Sequence, residues 1–257
     1  MGLSNTSQVP QTWGTTTPPR TCRVAIFLVL ALFSSAVTLV MTHSDGRATG
    51  SRARPFVGSA GVPERVAGSD RYATAVEVAR QSGGGSLTGL SDLIIVSGEG
   101  FADALVASGL AGYLDTCPRP NGAQCGRTAI LLTRATSLPR ATQEAITASK
   151  VPASRITVIG GTSVISDAVR GSIAVAAGWK RTGTNPAVRV SGRNRYETAA
   201  AVAERVRSLA SRQGGIALPD SFRTVLIATG ENFPDALSAG TLAYRAGHLL
   251  LLAQPNA

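Results

Sequence analysis

DLIIVSGEGFADAL at residues 92–105 returns as TVLIATGENFPDAL at 224–237. In both, an apolar run of strand length meets a glycine turn and passes directly into a helical segment. A solidly apolar strand, rather than an alternating one, predicts a parallel strand covered on both faces. Upstream, RVAGSDRYATA at 65–75 is matched by RVSGRNRYETA at 189–199, and downstream AILLT at 129–133 is answered by LLLLA at 249–253. Three matched blocks in the same order are a duplicated unit, so any site common to the unit must survive in both copies.

The first copy alternates strands and helices. Ser69 or Asp70 can cap a helix through YATAVEVARQ, in which Tyr72, Val76 and Ala79 share a face and Gly83 to Gly85 end the run. Helix FADALVASGLAGYL follows the strand at 92–97. Then come strand TAILLT at 128–133, a helix started near Ser137 and Pro139, strand RITVIGG from Arg155, and helix ISDAVRGSIAVAA capped by Ser166. The expected class is α/β: parallel-sheet βαβ units in tandem, a flavodoxin/Toprim-like layered sandwich. The expected divisions are an N-terminal segment and linker at 1–61, a complete repeat at 62–177, a linker at 178–188 and a second, shortened repeat at 189–257. The second copy has no counterpart to the helix, strand and helix that follow Thr133. Its sheet edge would be an unpaired template, which predicts a truncated chain or a partner that completes it.

Of 257 residues, 44% are hydrophobic and 16% charged, a globular balance rather than a disordered one. Residues 1–23 are rich in Ser, Thr, Pro and Gln and carry Arg20 and Arg23; they lead into an uncharged apolar run from Val24 to Met41. That run reads as a cleavable export signal or an uncleaved signal anchor, and either outcome exports the remainder. Cys117 and Cys125 bracket PRPNGAQ, and in an exported chain such a pair reads as a disulfide rather than a metal site. The interval from Leu105 to Thr133 is 28 positions whereas that from Leu237 to Ala253 is 16, so the cysteine loop is an insertion in the first copy. From Arg65 onward 20 basic residues stand against 13 acidic ones, and only two of the basic ones are lysines. Arginine-dominated basicity suits planar, two-pronged contacts with carboxylates and phosphates.

Several chemistries fail the comparison between copies. SGEGFADAL resembles a dinucleotide loop, but Asp103 stands where the third glycine belongs and Asn232 replaces Gly100 in the second copy. Asp70 becomes Asn194, so a capping role survives duplication and a shared acid-base role does not. Glu99 and Glu231, with Asp103 or Asp235, are the best enzyme candidates, a carboxylate pair for glycan hydrolysis. His43 and His248 show no zinc spacing, no G-x-S-x-G elbow is present, and no nucleic-acid motif accompanies the basic charge. The sequence therefore predicts no catalytic residue, no metal and no cofactor.

The opening R-hydrophobic-x-G-x-[DN]-R-Y-x-T-A, the [ST]-G-[ED]-x-F-x-D-A-L block, the ILLT strand and the VIGG…IS strand-turn-helix together resemble the type 2 cell-wall-binding repeat of Gram-positive bacteria, over about residues 64–257. The resemblance implies a noncatalytic module at the cell wall or the outer face of the membrane, holding an exported protein to anionic wall glycopolymers. It also implies an assembly of three repeats, so a missing third repeat or partner chain is expected to complete this one. Membrane contact through residues 24–41 is expected if the signal is retained, and nucleic acid is not a partner. The polymer-binding candidates are Arg71, Asp103, Thr133, Arg134, Arg195 and Asp235. A glycan hydrolase, or a fragment without independent activity, remains the alternative.

Overall fold

Strand β1 (Asp92–Ser97) is buried at all six positions, as an apolar run without alternation requires. The computed structural model describes residues 65–116, 126–212 and 224–254; the apolar run 24–41 and the Cys117/Cys125 loop lie outside them. On one side β1 pairs in parallel with β2 (Thr128–Thr133), from Asp92 opposite Thr128 to Ser97 opposite Thr133. On the other it pairs in parallel with β3 (Ile156–Ile159), which in turn pairs with β4 (Val188–Val190). The order is β2-β1-β3-β4. Strand β4 comes from the second RVSG opening, yet it extends the sheet built by the first copy. Its counterpart at Arg65 to Ala67 forms no strand.

Successive side chains of β1 divide the interior between two layers. Leu93 and Ile95 share a core with Val76 and Ala79 of α1 (Arg71–Ser82), Ala145 and Ile146 of α3 (Arg140–Ser149), and Val169 and Ile173 of α4 (Asp167–Ala176). Ile94 and Val96 share the opposite core with Val106, Ala107 and Leu110 of α2 (Ala102–Thr116) and with Val202 and Val206 of α5 (Arg195–Arg212). The expected layered α/β sandwich is observed, and Tyr72, Val76 and Ala79 form the buried face of α1.

The second copy adds β5 (Val225–Thr229), α6 (Phe233–Ala246) and β6 (Leu249–Ala253), with β5 and β6 paired in parallel. Helices α2 and α6 approach closely through small residues. A Cβ at Gly112 would lie 2.6 Å from the Tyr244 carbonyl oxygen, and one at Gly109 would lie 3.0 Å from that of His248. At the end of this contact the Tyr244 hydroxyl donates to Asp115 Oδ2 at 2.6 Å, while Asp115 Oδ1 accepts the Thr128 N–H at 2.7 Å. Burial, then the hydrogen bond and charge of Asp115, push the Tyr244 phenol up to about 12.

Strand β5 shows what the second copy lacks. Its Ile227 is 71% exposed where the equivalent Ile95 of β1 is fully buried, and among the described residues no strand pairs with its other edge.

Two glycine substitutions separate packing from backbone freedom. Gly112→Ala forces α2 off α6 and is expected to cost about 1–3 kcal/mol. In Gly171→Ala the new methyl meets nothing within 4 Å, in the middle of α4, and the change is expected to add about 0.5–1 kcal/mol. Urea denaturation of the two variants checks both signs.

Candidate functional site

All strands of a parallel sheet end on the same side, and there the loops meet the starts of the following helices. The repeated opening proves to be a clasp at that end. In the first copy the Gly68 N–H donates to Thr74 Oγ1 at 3.0 Å, Asp70 Oδ1 accepts the Ala73 N–H at 2.8 Å, and Arg71 Nη1 donates to the Gly98 carbonyl at 2.6 Å. The Gly98 N–H donates to the Thr133 carbonyl at 2.8 Å, locking the end of β1 to the end of β2. The second copy repeats each bond. Gly192 donates to Thr198 Oγ1 at 3.0 Å, Asn194 Oδ1 accepts the Glu197 N–H at 2.9 Å, Arg195 Nη1 donates to the Gly230 carbonyl, and Gly230 donates to the Ala253 carbonyl at 3.0 Å. Gly98 and Gly230 are glycine because a Cβ would press into the rings of Tyr72 and Tyr196, at 2.7 and 2.5 Å.

The clasp sorts the candidate residues. Arg71 and Arg195 each spend one guanidinium nitrogen on a backbone carbonyl, so both hold a helix start to a strand end. Thr133 is fully buried, and its hydroxyl donates to the carbonyls of Arg134 and Ser137 at 3.3 and 3.4 Å, which shapes the turn. Arg134 is exposed, with its guanidinium 5.3 Å from the centre of the Tyr72 ring. Arg71, Tyr72, Thr133 and Arg134 thus form one cluster. The position after Ala253, where Arg134 has its counterpart, holds Gln254.

Asp103 and Asp235 match in sequence and differ in surroundings. Asp103, in the first turn of α2, is half-buried, and its carboxyl is pushed up by burial against the opposing charge of Arg195 from the other copy. Asp235 is exposed. Arg195 in turn lies 5.6 Å from the centre of the Phe101 ring, and Phe101 and Phe233 tilt together at 6.0 Å across the two copies. The second cluster is therefore an inter-copy one. Asp103, Gly161, Ser163, Arg193, Asn194 and Arg195 line a cavity of about 180 Å³ between the start of α2, the end of β3 and the start of α5.

Arg193, Asn194 and Ser163 were not among the sequence candidates. The signal that marks the first two is the change from Ser69-Asp70 in one opening to Arg193-Asn194 in the other. Both copies keep the cap, and the second opening faces the first copy. Among the described residues no three His, Cys, Asp or Glu side chains converge on a point where a metal ion would sit.

The model of the cell wall binding domain 2 (CWB2) family matches residues 65–170 and 189–257, more than half of the chain. The chain belongs to this family. Its repeats are CWB2 repeats, and the protein is a cell-wall-binding module with an extracellular, cell-wall location. The N-acetylmuramoyl-L-alanine amidase LytC of Bacillus subtilis (strain 168) is 30% identical over 189 residues, which are 74% of this chain and 30% of LytC. The fold is shared with Cwp6 of Clostridium difficile (TM-score 0.55, 23% identity, 77% of this chain and 27% of that one). Cwp8 of the same organism is similar at a TM-score of 0.56 and 24% identity, over 75% of this chain and 27% of Cwp8. The CWB2 chain thus spans less than a third of each of these proteins.

Because Arg71 and Arg195 fasten backbone, Arg71→Ala and Arg195→Ala are each expected to lower stability by about 1.5–3 kcal/mol, the worth of a charge-assisted hydrogen bond. Urea midpoints check this, and an undiminished midpoint in either variant contradicts the clasp.

Proposed function

We propose that this CWB2 chain is a noncatalytic module that holds an exported protein to anionic glycopolymers of the cell wall, through arginines at the carboxyl edge of its sheet. The observation that carries this reading is Arg134. Its guanidinium is exposed at the end of β2 and backed by the Tyr72 ring, so an aromatic support limits the freedom it loses when it meets an anion. Arg71 beneath it holds the same strand ends in place. Planar, two-pronged donation suits phosphate and carboxylate groups along a polymer.

The noncatalytic part of the proposal rests on the same edge. Glu99 and Glu231 are exposed in the loops that follow β1 and β5. A glycosidase holds its acid in a desolvated pocket, whereas these two side chains stand in open loops. Asp103, whose carboxyl is pushed up by burial, is half-buried at the junction of the copies, whereas its sequence twin Asp235 is exposed.

The full chain is expected to cosediment with purified cell walls and to lose that retention when hydrofluoric acid strips the anionic polymers. Retention that survives stripping contradicts the anionic-polymer reading, and soluble sugar released from intact walls contradicts the noncatalytic one. Arg134→Ala is expected to weaken retention several-fold while costing about 0.5–1 kcal/mol of stability, the worth of an exposed cation–π contact. Unchanged retention removes Arg134 from the site.

A further inference from the structure

Among the described residues two that are not glycine have positive φ, and both are cations: Lys150 at +58 and Arg181 at +61. In that left-handed region a side chain crowds its own backbone carbonyl, so glycine or asparagine usually takes such positions. Lys150 ends α3 in the conformation in which glycine most often stops a helix. Arg181 lies between α4 and β4, next to Lys180. Lys150 and Lys180 are the two lysines of the whole chain. Stability alone favours glycine at both left-handed positions, so the cations there call for a role outside the fold.

The topology brings these residues to the amino edge of the sheet, opposite the arginine clasps. Strands start there in the order β2-β1-β3-β4, and at about 4.8 Å per strand the edge is about 15 Å long. Arg127 directly precedes β2, and its backbone carbonyl accepts the Ser91 N–H at 2.9 Å where β1 begins. Arg155, directly before β3, donates from Nε to the Ser91 carbonyl at 2.9 Å. Thr147 Oγ1 donates to the Ala176 carbonyl at 3.1 Å and ties the end of α3, with Lys150, to the end of α4. From there the chain runs through Trp179, Lys180 and Arg181 toward β4. Trp179 Nε1 donates to the Thr182 carbonyl at 3.0 Å and closes a turn around the two cations.

The carboxylates near this edge are already engaged. Asp92 takes Arg155 Nε and Nη2 at 3.0 and 2.7 Å, and Asp115 takes the Tyr244 hydroxyl and the Thr128 N–H. Arg127, Lys150, Lys180 and Arg181 are exposed, and among the described residues no carboxylate pairs with any of them. The second copy does not repeat them: Arg127 corresponds to Gly247, and the other three lie after Thr133, where that copy has no counterpart. The edge therefore belongs neither to the duplicated motif nor to the space between the copies.

We propose that the amino edge of the first repeat is a second polyanion contact, so that one chain bridges two polymer segments, one at Arg134 and one at Arg127, Lys150, Lys180 and Arg181. The inference rests on the anionic-polymer reading and deepens it, from holding a polymer to linking one segment to another. A row of unpaired cations along a sheet edge follows a linear polyanion better than it encloses a compact group. These charges stand in water, so the contact is long in range and weakened by salt. A lysine ammonium is a point charge that tolerates many approach geometries, unlike the ring-backed guanidinium of Arg134 at the other edge.

The test titrates the full chain with long-chain inorganic polyphosphate and, separately, with polygalacturonate, which distinguish a phosphate from a carboxylate source. Affinity and light scattering are read together, because a chain with two contacts links polymer molecules into scattering particles. The unaltered chain is expected to bind at least one probe and to raise scattering, both falling as salt rises from about 50 to about 300 mM. Lys150→Gly combined with Arg181→Gly is expected to weaken binding several-fold and abolish the scattering. Its urea midpoint is expected to hold or rise, since glycine relieves both left-handed positions. Arg127→Gln, where the backbone is unstrained, is expected to weaken binding in the same direction. Arg140→Gln combined with Arg207→Gln removes equal charge from exposed helix positions and is expected to change neither readout. Undiminished scattering in the double glycine variant, an equal loss in the glutamine control, or no binding of either probe overturns the proposal. So does a double glycine variant that loses pelleting with phosphatidylglycerol vesicles but keeps its polyanion binding, which assigns the edge to lipid headgroups. If intact walls retain the chain, stripping releases it, and the double glycine variant is retained equally, the amino edge is no contact and the polymer reading stands. If intact walls do not retain the chain, both readings fall.

Discussion

The bond from the opening arginine to the strand-end glycine carbonyl, made once by Arg71 to Gly98 and again by Arg195 to Gly230, is the contact on which the rest of the molecule depends. It sets where the first helix of each copy begins relative to the carboxyl end of its sheet. Because the same glycine N–H is bonded to the neighbouring strand, through Thr133 or Ala253, one residue couples a helix start to two strand ends. Replacing the arginine would leave a carbonyl without its donor, and replacing the glycine would drive a side chain into Tyr72 or Tyr196. The repeated motif is therefore a folding device first. Recognition is left to residues displayed around it.

Identical sequence does not give the copies identical roles. Val202 of α5 is 2% exposed in a core shared with α2, while its counterpart Val78 on α1 is 50% exposed. Ile95 and Ile227 differ in the same way at the other end of the arrangement. Each copy has a face that receives its successor and a face that covers its predecessor, and α2 with α5 is where one such pair is satisfied. The close passage at Gly109 and Gly112 adds α6 to the same contact. One core of this protein is completed within the first copy, and the other is shared between the copies.

Much of the fold was legible in the chain. The unbroken apolar run at 92–97 required a strand with two covered faces, and the helix spacing of Tyr72, Val76 and Ala79 required a buried stripe; both are observed. Asp70 and Asn194 cap as the exchange between them implied. The membership of β4 was not legible, because three residues of RVSG carry no periodicity that says which sheet they join. The arginine clasp was not legible either. Arg71 and Asp103 were read as polymer-binding candidates, whereas Arg71 reaches a backbone carbonyl and Asp103 faces Arg195 of the other copy. Backbone acceptors leave no mark in a side-chain pattern, and a partner in another copy lies at no fixed offset in the motif.

A cavity walled by two copies also changes what duplication accomplishes. The aspartate comes from the start of the central helix of one unit, and the two arginines come from the opening of the next. One unit alone supplies only part of the lining of this cavity. Arg193 and Asn194, at the positions held by Ser69 and Asp70 in the first opening, line the space between the copies. Asp235 illustrates the converse: the same residue on the same helix turn is exposed. Charge matters most where burial removes water from it, and at the seam between these repeats the group so placed is the half-buried Asp103.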